Sequence, residues 1–155
     1  MTSEKKSPVA EVSDAEWEVM RIVWAKQGAN GRFIIEGLHE KLNWNESTTK
    51  TLIRRLVDKG YLKSRKEAGV NFYEAELSEE SCNLLLADKL IGRICNTLVG
   101  DFIGKLIDRY ELSIEDIQNL KSTLETKSGF NEIICNCTPC QCAHCKVEEA
   151  NHVHR

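Results

Sequence analysis

Five of the chain's seven cysteines fall within residues 135–145, the run Cys-Asn-Cys-Thr-Pro-Cys-Gln-Cys-Ala-His-Cys, and His144 sits among them. Cys-x-Cys and Cys-x-x-Cys steps aim neighbouring sulfurs at one point, the arrangement in which thiolates close on one ion or a small cluster. Thiolate is a soft ligand, so the ions it selects are Zn(II), Cu(I) and their toxic relatives, not Mg or Ca. Pro139 stiffens a reversal between Cys137 and Cys142. The rival readings are a disulfide knot and an exposed tail that oxidises by accident. Dense metal spacing, in a chain whose hydrophilic start shows no secretory signal, favours the metal.

A second set of residues could meet a nucleic acid. The formal net charge of −3 hides an asymmetry: residues 41–66 carry eight basic side chains against Glu46 and Asp58, while residues 78–134 carry ten acidic against six basic. One section can therefore face phosphate while another avoids it. Within the basic section a helix is predicted from about 45–47 to Gly60. At 100° per residue, Thr49, Leu52, Ile53 and Leu56 share its inward arc. Thr48, Thr51 and Arg55 fall on the opposite side, flanked by Ser47 and Arg54. Short hydroxyl residues let a helix approach a DNA groove, and a guanidinium can fork onto guanine.

These two sets need elements to position them. The length of 155 residues suits one medium domain or two small ones, and 41% hydrophobic residues support a real core. Ser13 with Glu16 reads as a capping box that opens a first helix carrying Trp17, Met20, Val23 and Trp24 and ending at Gly28. A second helix is predicted over 31–42, with Ile34, Ile35, Leu38 and Leu42 inward. After the third helix, residues 61–66 and 71–76 read as two strands around a turn with Gly69, and Arg65 and Lys66 stand near the tip. Three helices followed by a basic hairpin is the winged-helix layout, in which the third helix reads the major groove and the wing holds the backbone.

Downstream, Ser78 caps a long helical section to 109, with a break predicted near Asn96. Ser113 and Asp116 cap a last helix to about 127. The apolar faces here exceed what some fifty residues can bury alone, so Leu98, Phe102, Ile103, Leu106, Ile117 and Leu120 are expected to pack against a second copy. Cys82 and Cys95 are expected to be buried or boundary thiols far from the tail. The fold class is mainly α (α+β): a winged helix-turn-helix domain over 1–77, a helical dimerisation region over 78–128 and a Cys-rich tail over 129–155. No apolar run nears the ~18 residues of a membrane span, so a cytoplasmic chain without membrane contact is expected. No phosphate loop, paired catalytic carboxylates or Cys–His pair outside the cluster points to an enzyme.

The capped start at Ser13, the run Thr-Thr-Lys-Thr-Leu-Ile-Arg-Arg-Leu-Val-Asp-Lys-Gly-Tyr ending at Tyr61, and the helical region after it resemble the BlaI/MecI/CopY repressors over about residues 10–127. The thiol tail is similar to that of the CopY branch, copper-responsive repressors of copper-export operons, which end in Cys-x-Cys-x4-Cys-x-Cys. That resemblance implies a homodimer on a double-stranded palindromic operator of the TACA…TGTA kind. It further implies base reading by Thr48, Thr51 and Arg55, Zn(II) in the DNA-bound form and Cu(I) as inducer, with a copper chaperone as one route of delivery. Cys135, Cys137 and Cys142 match the branch's first three thiols. Its fourth position falls on His144, with Cys145 next to it and Cys140 as an extra thiol inside the spacer. Cys145 is preferred as fourth zinc ligand over His144 and Cys140, because a Cys-x-x-Cys step is a common zinc half-site and thiolate adds negative charge. A protease-released repressor of the BlaI/MecI kind would explain the body without the thiols, and a metal-buffering protein the thiols without the body.

Overall fold

The computed structural model describes residues 11–138, as two compact units that divide at Leu85 and Leu86. Within the first, α1 (Asp14–Lys26), β1 (Ala29–Asn30), α2 (Gly31–Leu42), α3 (Glu46–Asp58), β2 (Leu62–Glu67) and β3 (Val70–Ala75) form a winged helix. The sheet runs β1-β3-β2, antiparallel throughout, with Arg65 opposite Phe72 and Lys66 opposite Asn71.

Each helix starts where its sequence offers a cap. The Ser13 hydroxyl accepts from the Glu16 amide and the Glu16 carboxylate accepts from the Ser13 amide, so two amides left over at the start of α1 are satisfied. Asn30 and Asn45 cap α2 and α3 in the same sense. The first helix ends one residue earlier than predicted: Gln27, not glycine, takes the left-handed turn at φ 53°, and Gly28 follows at φ 113°. There the chain passes so near the wing that a Cβ on Gly28 would lie 2.6 Å from the Phe72 ring. Glycine is needed at 28 for contact as much as for its dihedral.

The core gathers Val19, Met20 and Val23 of α1, Ile34 and Leu38 of α2, and Leu52, Ile53 and Leu56 of α3, closed by Tyr61, Leu62 and Cys82. Burying each aliphatic side chain is worth about 1.5–3 kcal/mol. Ile35 is only half-buried, and Leu42 is exposed where an inward position was expected. Leu42 is the last helical residue before Asn43 turns left-handed, and the helix has left the core by then. Trp24 donates its indole N–H to the Leu77 carbonyl at 2.9 Å and meets Trp17 edge-on, with centroids 5.1 Å apart.

One charge lies inside this core. Glu16 is 2% exposed, and its Oε2 accepts both the Ser13 amide and, at 2.6 Å, the Lys59 ammonium just past α3. Burial pushes the carboxyl pKa up, but the Lys59 and Ser13 hydrogen bonds outweigh it and hold the group below the usual carboxylate range.

Helix α4 (Glu79–Ile91) starts at Ser78 and carries Cys82 into the first unit's core. In the second unit the predicted break spans Gly92 to Cys95, followed by a 3-10 turn at Asn96–Leu98. Then come α5 (Val99–Arg109) and α6 (Ile114–Thr126), the latter opened by the expected Ser113–Asp116 capping box. Neither α5 nor α6 holds a buried residue. No helix among the described residues is long and apolar enough to cross a membrane.

Candidate nucleic-acid interface and candidate metal centre

Helix α3 separates its faces as its sequence requires. Thr49, Leu52, Ile53 and Leu56 are buried, while Ser47, Thr48, Thr51, Arg54 and Arg55 are all exposed. The helix is anchored from inside and offers hydroxyls and guanidinium groups outside. Thr51 donates its hydroxyl to the Ser47 carbonyl at 2.9 Å, which fixes that side chain and leaves its oxygen able only to accept. Lys50 pairs with Glu46, so the cations left for a polyanion on this helix are Arg54 and Arg55. A groove of about 830 Å³ runs between α2, α3 and the wing, lined by Arg54, Lys50, Ser64 and Asn71 among others.

The wing's cations differ in readiness. Arg65 stacks over the Phe72 ring, 4.7 Å from its centroid, and reaches Glu74 at 3.2 Å and Glu67 at 3.4 Å. It is committed within the hairpin. Lys66 is exposed and in no ion pair among the described residues. Sequence reading placed Arg65 and Lys66 together at the tip but could not separate a braced cation from an open one, since that depends on cross-strand register.

The thiols give the main surprise. Cys95, expected to be far from the tail, has its Sγ 3.3 Å from that of Cys135, and the sulfurs of Cys95, Cys135 and Cys137 all lie within 4.8 Å of one another. Residues 134–137 fold back onto the turn before α5. The Asn96 amide donates to Asn136 Oδ1 at 2.9 Å and the Asn96 side chain reaches the Ile134 carbonyl at 3.4 Å. Thr97 Oγ1 stands 3.1 Å from the Cys95 sulfur, and hydrogen bonding to Thr97 lowers that thiol's pKa. Three converging thiols are a donor set for a soft cation. Cys82 differs: it is buried in the other unit, and burial raises its pKa, as for an inert core thiol.

Of the tail residues read as ligands, Cys135 and Cys137 are thus brought together, whereas Cys140, Cys142, His144 and Cys145 lie outside the described residues. Of the residues expected to pair with a second copy, Leu98, Ile103, Ile117 and Leu120 are exposed, and Phe102 and Leu106 are half-buried.

The family profile described as penicillinase repressor matches residues 12–126, so the match ends with α6 and stops before the tail cysteines. A Latilactobacillus sakei protein described as an uncharacterized 16.5 kDa protein in the ptsI 3' region is 38% identical over 141 residues, spanning 90% of this chain and 96% of its own length. The penicillinase repressor of Bacillus licheniformis is 30% identical over 121 residues, spanning 78% of this chain and 93% of that one. The solution structure of the DNA-binding domain of the repressor BlaI is 35% identical and covers 48% of this chain and 88% of that chain, with a TM-score of 0.43.

Proposed function

The chain belongs to the penicillinase repressor family of transcriptional repressors, and on that footing we propose that it is a metal-responsive repressor of a copper-homeostasis operon. In this reading residues 1–77 bind the operator, residues 78–128 pair two copies, and residues 129–155 sense the metal. Thr48, Thr51 and Arg55 reach base edges, Ser47 and Arg54 flank them, and Lys66 contacts phosphate; Arg65 joins only by releasing Glu67 and Glu74. The exposed apolar residues of α5 and α6 form the face for the second copy. Cys135 and Cys137, with Cys142 and Cys145 after them, hold the metal.

What carries the metal reading is the convergence of three thiols in a chain whose relatives are repressors. Zn(II) supplies a four-coordinate tie between thiolates, whereas Cu(I) is satisfied by fewer of them. The tail's sulfurs must therefore be arranged differently in the two states. A ligand shifts DNA affinity only by its differential affinity for the two arrangements. The operator-bound form is the zinc form, and Cu(I), arriving free or from a copper chaperone, is the inducer.

The test is binding of the whole chain to a TACA…TGTA duplex, followed by fluorescence anisotropy with zinc, with Cu(I) and with a chelator. Tight binding with zinc and release by Cu(I) are expected. Equal binding under all three conditions would sink the metal reading and favour a repressor released by proteolysis.

A further inference from the structure

Cys95 lies 40 residues before Cys135, in the turn between α4 and α5, and yet the two sulfurs meet at 3.3 Å, with Cys137 completing a trio within 4.8 Å. One ion with four tetrahedral bonds to sulfur near 2.3 Å sets its sulfurs about 3.8 Å apart. The Cys95–Cys135 contact is shorter than that and no pair in the trio exceeds 4.8 Å, so small side-chain shifts meet the requirement. A disulfide needs its sulfurs about 2.05 Å apart, much closer than these stand.

The approach does not depend on the sulfurs alone. Asn96, next to Cys95, binds Asn136, between Cys135 and Cys137, and also the Ile134 carbonyl. Amide hydrogen bonds therefore set both segments in register independently of the sulfurs. The Cys137 amide donates to the Cys135 sulfur at 3.3 Å, which holds that pair of thiols together.

We infer that Cys95 is a ligand of the soft thiophilic ion, forming a three-sulfur face with Cys135 and Cys137. This rests on the metal-responsive reading and brings a residue from outside the tail into its ligand set. The change has a mechanical meaning. A site built only from residues 135–145 would tie the tail to itself. A site that includes Cys95 closes a loop containing the whole of α5 and α6, the helices whose apolar faces await a second copy. Which metal is bound then bears on those helices through both ends of the loop.

The test uses the full chain, with zinc and with Co(II) as a spectroscopic probe of thiolate ligation. Cys95→Ala should weaken zinc binding by more than the roughly 10–100-fold that losing an outer-shell partner costs, and should lower the thiolate-to-cobalt charge-transfer intensity. Cys82→Ala, in the core of the first unit, should leave both unchanged. A second measurement needs no substitution. Trypsin releases residues 94–105 with Cys95 as the sole cysteine of that peptide, so alkylation of this peptide reads one thiol. Zinc should protect it and chelator should expose it. Zinc-loaded protein in which residues 94–105 alkylate as fast as with chelator would overturn the inference and leave the metal-responsive reading intact. So would Cys95→Ala with undiminished affinity and cobalt intensity, or a disulfide between residues 94–105 and the tail that persists in reductant. A chain that takes up no zinc would remove both.

Discussion

In the first unit α1, α2 and α3 each send fully buried side chains, Met20, Leu38 and Leu56 among them, into one core. In the second unit α5 and α6 bury nothing, and Leu98, Ile103, Ile107, Ile114, Ile117, Leu120 and Leu124 remain exposed. Both units have amphipathic helices; what differs is whether the same chain supplies the opposing face. The first unit closes its core with its own residues. The second leaves these apolar side chains exposed, and in the function proposed above they are the face for a second copy.

The contrast is sharpest in core truncation. All three tryptophans, Trp17, Trp24 and Trp44, lie in the first unit, so their fluorescence follows that unit alone during urea unfolding. Leu56→Ala should cost it about 3 kcal/mol, within the range for emptying a well-packed leucine site. Ile117→Ala should leave that transition within about 0.5 kcal/mol and instead shift sedimentation toward the monomer. If Ile117→Ala moved the tryptophan transition as much as Leu56→Ala, the two units would not be independent.

Lys59→Met tests the charge inside the first core. Removing one partner of a buried pair costs about 3–5 kcal/mol, and because a quarter of the Lys59 side chain is in solvent we expect about 2–3 kcal/mol here. The pH dependence has a definite sign. Glu16 has a depressed folded pKa, so its stabilising contribution is full above its unfolded pKa and is lost as pH falls through the folded one. In the variant the buried carboxylate has no ammonium, and protonation relieves it. The gap between the two proteins should be widest near neutrality and narrow toward pH 4. A gap that stays constant with pH would mean Lys59 acts through packing alone.

Arg55→Ala should leave stability almost untouched and weaken operator binding by about 1–3 kcal/mol, with preference relaxed at one base of each half-site. Lys66→Ala should weaken all duplexes alike. Matching behaviour of the two variants would remove α3 as the reading helix. Smallest is Thr49→Val. The Thr49 hydroxyl is fully buried, and its oxygen has no hydrogen-bond partner among the described residues. Replacing it by a methyl should stabilise the first unit by about 1 kcal/mol, again by tryptophan fluorescence.

The first unit was largely legible because its signals are local. The Ser13–Glu16 capping box, the two faces of α3 and the hairpin around Gly69 each lie within a window where spacing decides the geometry. Strand β1 was not legible: Ala29 and Asn30 are too few to show alternation, and they become a strand only by pairing with Tyr73 and Phe72. Cys95 was missed for a related reason. A single thiol among helical residues has no spacing signal, and its partners stand 40 positions away. The only hint was that Gly92 and Asn96 made a break near it, which freed the backbone there to meet another segment.

The Glu16–Lys59 pair also has a consequence for the order of events on the ribosome. Glu16 begins the chain's first helix, and Lys59 follows the third, 43 residues later. While only α1 and α2 have emerged, the carboxylate has no ammonium to meet, and burying it alone would cost several kcal/mol. The nascent α1 must therefore keep that end hydrated, and its Val19–Met20–Val23 stripe cannot settle into final packing beside α2. Docking waits for residue 59 to clear the exit tunnel. The sheet and the last of the core follow, since β2, β3 and Cys82 come after residue 59.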